Sequence, residues 1–226
     1  NNYHLTFGFL ILPFLMLLAA LIYAYKKLKA KTAFELSVPA SDKTVKLEKT
    51  FYVYTLAVAL NTVGLIPASL ILYKASIILQ PLNQQWIIPL IYLLIQGVDA
   101  SIALFAGYTY DKFGVKVLIL PFTLSVFPSI LAMVNSGLKM LIVAAVFFGV
   151  VLGMQESIYR AAVVNFASIS NRGKAYGIFN AAYGVSFVLS GVMYGAMIDL
   201  KVSLILVTFF AVLTQALAVT ALKKSC

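Results

Sequence analysis

Long apolar runs separated by short polar connectors make up most of this 226-residue chain. A helix that crosses a bilayer needs about 20 mainly apolar residues. Seven runs approach that length, at residues 5–25, 51–73, 86–106, 117–134, 138–159, 176–198 and 202–222. The pattern therefore predicts an all-α integral membrane protein with about seven transmembrane helices.

A polar stretch at residues 26–50 separates the first run from the others. It is too polar to be buried and too short to fold alone, so we interpret it as a linker. The chain starts Asn1-Asn2 without Met, and we interpret that start as a truncation.

Composition agrees with a membrane location. Hydrophobic residues make up 62% of the chain and charged residues 11%, whereas soluble domains have about 45–50% and about 25%. A small soluble fold cannot hide so much apolar surface, so lipid is the expected cover. The formal charge of +10 sits in connectors and not on a folded basic surface, which argues against nucleic acid as a partner.

The basic residues predict the orientation, because cytoplasmic loops carry an excess of Lys and Arg. One set of connectors contains Lys26, Lys27, Lys29, Lys31, Lys43, Lys46, Lys49, Lys112, Lys116, Arg160, Arg172, Lys174, Lys223 and Lys224, and the other contains Lys74, Lys139 and Lys201. We expect the first set to be cytoplasmic. The chain would then be a multi-pass protein of the cell membrane, with its N-terminus outside and its C-terminus in the cytoplasm.

Two helix-breaking residue types occur inside the runs. Gly177, Gly184 and Gly191 recur every seven residues in the sixth run. Small residues at such spacing let another helix approach, so we expect tight packing along this stripe, with a mobile gating seam as the alternative. Pro67 lies in the second run, where neighbouring helices can satisfy the backbone groups that proline leaves free.

The connector after the third run carries a recognisable pattern. It reads Gly107-Tyr-Thr-Tyr-Asp111-Lys112-Phe-Gly114-Val-Lys116. This resembles the signature loop of the major facilitator superfamily, G-x-x-x-D-[RK]-x-G-[RK]-[RK]. Val115 departs from the pattern, since it replaces the first of the last two basic residues. The match falls on a predicted cytoplasmic turn between two spans, where that family has its loop.

The resemblance implies half of a twelve-helix, major-facilitator-type bundle. The order of spans is similar to family helices six to twelve. Residues 1–25 would then end the absent N-terminal half, residues 26–50 would be the cytoplasmic central linker, and residues 51–226 would form a six-helix C-terminal bundle. The implied partners are the missing half, the lipid bilayer and a small solute.

Asp99 is the strongest candidate for a functional side chain. It lies about 13 residues into its span, within roughly 5 Å of the membrane midplane at about 1.5 Å per residue. A carboxylate at that depth is costly unless it pairs or takes up a proton. Gln96 and Tyr92 lie one and two turns away on the same face. Together they predict a proton or substrate site, and an Asp that serves only to join neighbouring helices is the alternative.

Glu156 and Arg160 have the spacing of an i, i+4 helix pair, which alone indicates only a weak surface salt bridge. In the family that the chain resembles, such residues form a charge network with the signature-loop Asp and hold the inner gate shut. The resemblance implies that Asp111 is that partner, and the gate is the interpretation we favour.

Weaker candidates for the cavity lining are Asn61, Asn180 and Tyr183, because Asn and Tyr also join membrane helices. The sequence contains no metal cluster, nucleotide-binding loop or nucleophile triad, so we expect neither an enzyme nor a cofactor. The prediction is a secondary transporter fragment that moves a small solute by alternating access, with Asp99 as a hypothetical proton carrier. The alternative is a non-transporting membrane subunit or a channel-like helical assembly.

The orientation can be tested by cysteine labelling after Cys226 has been replaced. Single cysteines at Ser76 or Asn135 should react with an impermeant thiol reagent added outside cells, and those at Ser37 or Ser170 should not, because the basic connectors are expected to be cytoplasmic. Reaction of the Ser37 variant from outside would show that the orientation is wrong.

Overall fold

The computed structural model describes residues 3–35, 47–134 and 137–225. The chain divides into two compact units, residues 1–44 and 45–226. Part of the predicted linker, residues 36–46, lies outside the described residues. The predicted domain boundaries at residues 25 and 50 stay predictions.

Unit one contains helix α1, Tyr3–Glu35. The helix continues past the predicted span at residues 5–25 and through the first lysines of the polar stretch. Large apolar side chains along it are exposed, with Phe9 at 77% and Met16 at 67%. An apolar helix with such side chains needs lipid or another protein surface as its cover.

Unit two consists of helices and turns, with no strand among its described residues. Its helices are α2 (Lys49–Val63), α3 (Ala68–Leu79), α4 (Ile87–Phe113), α5 (Ile119–Leu124), α6 (Val126–Met133), α7 (Leu138–Met154), α8 (Arg160–Val163), α9 (Arg172–Asp199) and α10 (Leu204–Ser225). A π-helical stretch, Gln155–Tyr159, joins α7 to α8.

These helices fall into six successive segments, which we call passes, namely α2–α3, α4, α5–α6, α7–α8, α9 and α10. Five continuous helical stretches of the described residues are long and apolar enough to cross a membrane, and the longest, Ile87–Met133, contains two passes. The chain reverses at Gly114, where φ is +64°. Glycine adopts this value without the clash that a Cβ would cause. The predicted all-α membrane fold is thus confirmed.

Two connectors differ from the prediction. Residues 107–113, predicted as a turn, are the last two turns of α4, and the reversal begins only at Gly114. The connector between the fifth and sixth apolar runs, residues 160–175, ends early, because α9 begins at Arg172. Both helices extend beyond their apolar runs, since a helix can project into the headgroup region, where polar side chains are solvated.

The first pass is interrupted between α2 and α3, where Pro67 provides no N–H. Three side chains from other passes bond to the backbone at the break, and one of them, Ser190, donates to the carbonyl of Leu65. Ser129 Oγ donates to the carbonyl of Gly64 at 3.0 Å and accepts from the N–H of Ile66 at 3.0 Å. The hydroxyl of Tyr194 donates to the same Gly64 carbonyl at 2.6 Å. Neighbouring helices therefore make the break possible, as the sequence predicted for Pro67.

The closest helix packing joins α4 and α7, at two glycines four residues apart. A Cβ on Gly149 would lie 2.7 Å from the carbonyl oxygen of Ile95, and one on Gly153 would lie 2.5 Å from that of Asp99. Any larger residue would thus push the two backbones apart.

The predicted glycine stripe on α9 behaves differently. A Cβ at Gly177, Gly184 or Gly191 would have no neighbour within 4 Å among the described residues. Tight packing of this stripe within the chain is therefore not observed. Small side chains alone do not say which face of a helix has a neighbour, and the close contact lies at Gly149 and Gly153 instead.

Two apolar clusters fill unit two toward its opposite ends. One contains Phe51, Leu118 and Leu222 near the α4–α5 reversal, and the other contains Leu79 and Leu141 near the far end. Between them lies a layer of buried polar side chains. Two of the predicted site residues, Asn61 and Tyr183, belong to this layer.

Candidate functional site

Asn61 on α2 is the centre of the buried polar layer and is fully buried. Its Nδ2 donates to Ser125 Oγ at 3.0 Å and to Gln215 Oε1 at 2.7 Å. Its Oδ1 accepts from Gln155 Nε2 at 3.0 Å and from the Tyr159 hydroxyl at 2.7 Å. The backbone carbonyl of Asn61 accepts from Gln215 Nε2 at 3.0 Å. Every donor and acceptor of the Asn61 side chain is therefore occupied.

The layer extends to a fifth pass through Tyr183 on α9, whose hydroxyl donates to Gln155 Oε1 at 3.3 Å. We call the connected side chains the Asn61 network: Asn61, Ser125, Gln155, Tyr159, Tyr183 and Gln215. They belong to α2, the α5–α6 junction, the π-helical stretch, α9 and α10. In a medium that offers no water, such satisfied groups hold helices together.

The π-helical stretch places buried and exposed polar side chains next to each other. π-bulges are rare and occur often at functional sites. Here Gln155 and Tyr159 point into the unit and are buried, whereas Glu156 is exposed. Glu156 lines a cleft of about 30 Å³ together with Arg160 and Tyr183. Such a cleft has room for about one water molecule, and it lies directly against the Asn61 network.

Asp99 on α4 is 8% exposed, and its Oδ1 has no hydrogen-bond partner among the described residues. Its backbone packs on Gly153, two residues before the π-helical stretch. Asp99 is thus a buried carboxyl group that lies next to the network without joining it.

The residues predicted to share a site with Asp99 are placed differently. Tyr92 is 48% exposed, Gln96 is exposed, and no hydrogen bond joins either of them to Asp99 in the part of the chain that the structure describes. The helix face that carries them is open, because no other described helix covers it. The predicted cluster is therefore incomplete within this chain.

The predicted gate residues lie at one end of unit two. Asp111 and Lys112 are exposed in the last turn of α4, Lys116 is exposed in the 3₁₀ segment Gly114–Leu118, and Gly107 faces Ser157. Glu156 and Arg160 are exposed on the neighbouring pass. Among the described residues, no ion pair joins Asp111, Glu156 and Arg160. Their predicted network is not formed in this conformation, and its role stays a prediction.

Sequence reasoning found only part of this layer. Asn180 is exposed, Tyr183 is half-buried, and Asn61 is a structural hub and not part of an open surface. Gln215 and Ser125 were missed, although an amide or hydroxyl inside an apolar run is the signal that could have found them.

No group of three or more His, Cys, Asp or Glu able to hold a metal ion occurs among the residues that were described.

Comparison with known proteins gives a family and relatives. The family model described as Major Facilitator Superfamily matches residues 50–224. The chain is 25% identical over 222 residues to the uncharacterized protein Rv2265 of Mycobacterium tuberculosis and to the uncharacterized protein Mb2288 of Mycobacterium bovis. The match covers 96% of this chain and 54% of each relative, so the chain spans about half the length of these proteins. No solved structure matches the chain.

Replacing Asn61 with Ala should destabilise unit two. Gln155, Tyr159 and Gln215 would each lose a buried partner, and an unsatisfied buried group costs about 1–3 kcal/mol. We expect a loss of at least about 2 kcal/mol in the free energy of unfolding, measured by thermal or denaturant unfolding in detergent. Asn180→Ala is the matched control, because that side chain is exposed and the expected change is below about 0.5 kcal/mol. Equal stability of the two variants would show that the network does not hold the helices.

Proposed function

Because this chain belongs to the major facilitator superfamily, whose members are membrane transporters and not enzymes, we propose that it is part of a secondary transporter that moves a small solute by alternating access. The match of the family model to residues 50–224 carries this proposal. The proposed location is the cell membrane, with the basic connectors in the cytoplasm and the N-terminus of the chain outside.

The rest of the transporter is proposed to be an N-terminal half. The relatives are about twice as long as this chain, and transporters of this family bind substrate between two halves. The open faces support the same arrangement, because Tyr92 and Gln96 on α4 and Gly184 on α9 lack a covering helix among the described residues. A second half packed on α4 and α9 would close a cavity over them.

The alternative of a channel-like assembly or a non-transporting subunit is less well supported. A pore requires polar groups repeated along its length. In unit two the side chains of the Asn61 network lie between two apolar clusters and bond to one another, so they do not form a polar stripe along the bundle. This arrangement favours a bundle that moves as a body over one that conducts through its centre.

Asp99 is proposed as the proton-carrying residue. It is a buried carboxyl group whose Oδ1 has no hydrogen-bond donor among the described residues. A carboxylate in such a position is costly unless it pairs with another group or takes up a proton. Opening of the adjoining cavity would hydrate Asp99 and release its proton, and closure would favour uptake, so the position supports coupling between proton and solute movement.

Asp99→Asn should abolish proton-driven accumulation of the solute while solute exchange continues, because the amide resembles a permanently protonated acid. Proton flux in vesicles reports this when candidate solutes are added. Before any solute is known, the infrared band of a protonated carboxyl group should be lost in the Asn variant. Asp199→Asn, a matched change at an exposed position, should alter neither measurement. Full proton-driven uptake by Asp99→Asn would mean that the coupling group lies elsewhere.

The charged residues at the α4–α5 end are proposed as the inner gate. In the other conformation of the transporter, Arg160 would pair with Asp111 and Glu156 and hold the cytoplasmic side closed. The support is their common position on α4 and on the neighbouring pass, next to a π-helical stretch that can change its hydrogen bonding.

A double-mutant cycle tests the gate. Asp111→Asn and Arg160→Gln should each speed labelling of a cysteine at Ser157 from the cytoplasm, because the closed state loses an ion pair. Their effects should be non-additive by at least about 0.5 kcal/mol. Lys174→Gln, an exposed basic residue on the first turn of α9, is the control and should change little. Strictly additive effects would show that Asp111 and Arg160 do not act together.

A further inference from the structure

A second cavity lies at the end of unit two opposite the α4–α5 reversal. It has a volume of about 610 Å³ and lies between the ends of α3, α6, α9 and α10. The described residues that line it are Lys74, Met133, Met197, Ile198, Lys201, Val202 and Leu204. Two of them are lysines, the others are apolar, and none is acidic. We call this cavity the lysine pocket.

Lys74 is half-buried, one to two turns before the end of α3. Its Nζ donates to the backbone carbonyl of Ala132 at 2.6 Å. Ala132 lies in the last turn of α6, whose unpaired carbonyls form the negative end of that helix. This contact fixes the ammonium group at the pocket and uses one of its three N–H donors. The carbonyl is only partially charged, so it does not neutralise the lysine.

Lys201 lies on the other side of the pocket, directly after α9. Its N–H donates to the carbonyl of Ile198 at 3.1 Å, and the N–H of Val202 donates to that of Met197 at 3.0 Å. This hydrogen-bond pattern ends a helix with a left-handed residue, usually glycine. Lys201 has φ of +50°, a conformation that is strained for a residue with a Cβ. Glycine would adopt this conformation without strain, so a role for the lysine side chain is a hypothesis that the strained backbone motivates.

Lys74 is half-buried and Lys201 is exposed, and the described residues that line the pocket provide no acidic counter-ion for either of them. Asp199 is nearby in sequence, but it is exposed and does not line the pocket. Ammonium groups at the rim of an apolar cavity attract a negative group. The two methionines that line the pocket are flexible and polarisable, so they can pack against an apolar chain of irregular shape. The volume of the pocket is within the range of small-molecule sites.

We propose that the lysine pocket binds an amphipathic anion, with its phosphate or carboxylate group between Lys74 and Lys201 and its apolar chain against Met133, Met197 and Leu204. The site is separate from Asp99 and from the predicted gate, and it does not depend on proton coupling. Two sources offer this chemistry, namely the headgroup of an anionic membrane lipid and a free amphipathic anion.

Binding of decyl phosphate tests the proposal in protein expressed from its complete gene and held in phosphatidylcholine nanodiscs. Lys74→Met should weaken binding by about tenfold or more, because hydrogen bonds to charged groups contribute strongly. Lys201→Gly should weaken it similarly while keeping or raising the midpoint of thermal unfolding, since glycine removes the backbone strain. This second variant separates loss of binding from loss of folding.

Two controls use the same preparation. Lys139→Gln changes an exposed lysine at the same end of the unit that does not line the pocket, and it should bind decyl phosphate like the unchanged protein. Decanol lacks the negative group and should bind much more weakly. The proposal is overturned if Lys74→Met and Lys201→Gly bind normally, if Lys139→Gln weakens binding equally, or if decanol binds as tightly as decyl phosphate.

The lipid composition of the nanodisc then distinguishes the two sources. If phosphatidylglycerol occupies the pocket, replacing phosphatidylcholine with it should lower the apparent affinity for decyl phosphate in the unchanged protein but not in Lys74→Met. An affinity that is independent of lipid, and still dependent on Lys74, supports a free amphipathic anion as the occupant.

Discussion

Polar groups inside a membrane protein must find their partners within the protein, because the surrounding lipid provides none. In unit two this requirement is met largely by one side chain. Asn61 joins Ser125, Gln155, Tyr159 and Gln215, so that a single amide links four passes of the bundle. The partners come from three separate segments of the sequence, since Gln155 and Tyr159 share the π-helical stretch, and these hydrogen bonds would break if one segment moved alone. The network therefore favours one relative arrangement of these helices.

The same requirement explains the interrupted first pass. The break at Gly64–Pro67 frees backbone groups that water would satisfy in a soluble protein, and here Ser129 and Tyr194 satisfy them. Three buried side-chain atoms among the described residues are exceptions, namely Thr55 Oγ1, Asp99 Oδ1 and Arg172 Nε, which have no hydrogen-bond partner. Of these, Asp99 is the acidic group, and an unpaired buried carboxyl group calls for an explanation, which the proposed proton uptake offers.

The fold could be predicted from the sequence much further than the site could. The apolar runs predicted the membrane spans, and the residues from Gly107 to Lys116 indicated the family. Both signals lie within short stretches of the sequence. The packing at Gly149 and Gly153 was missed and the stripe at Gly177 was overinterpreted, since spacing does not say which face meets another helix. The central role of Asn61 in the hydrogen-bond network could not be predicted from the sequence either. Its partners are 64 to 154 residues away in sequence, and only the packed bundle brings them together.

The three charged features of unit two differ in how they relate to this rigid layer. The proposed gate residues near Asp111 are exposed beyond it, Asp99 borders it without being bonded to it, and the lysine pocket lies past the apolar cluster at the opposite end. In the proposed alternating access, a rigid-body motion would leave the layer unchanged and alter only the surroundings of the groups outside it. Each charge would then gain or lose water and counter-ions as the unit moved, while the Asn61 network, whose side chains are uncharged, would impose no electrostatic barrier to that motion.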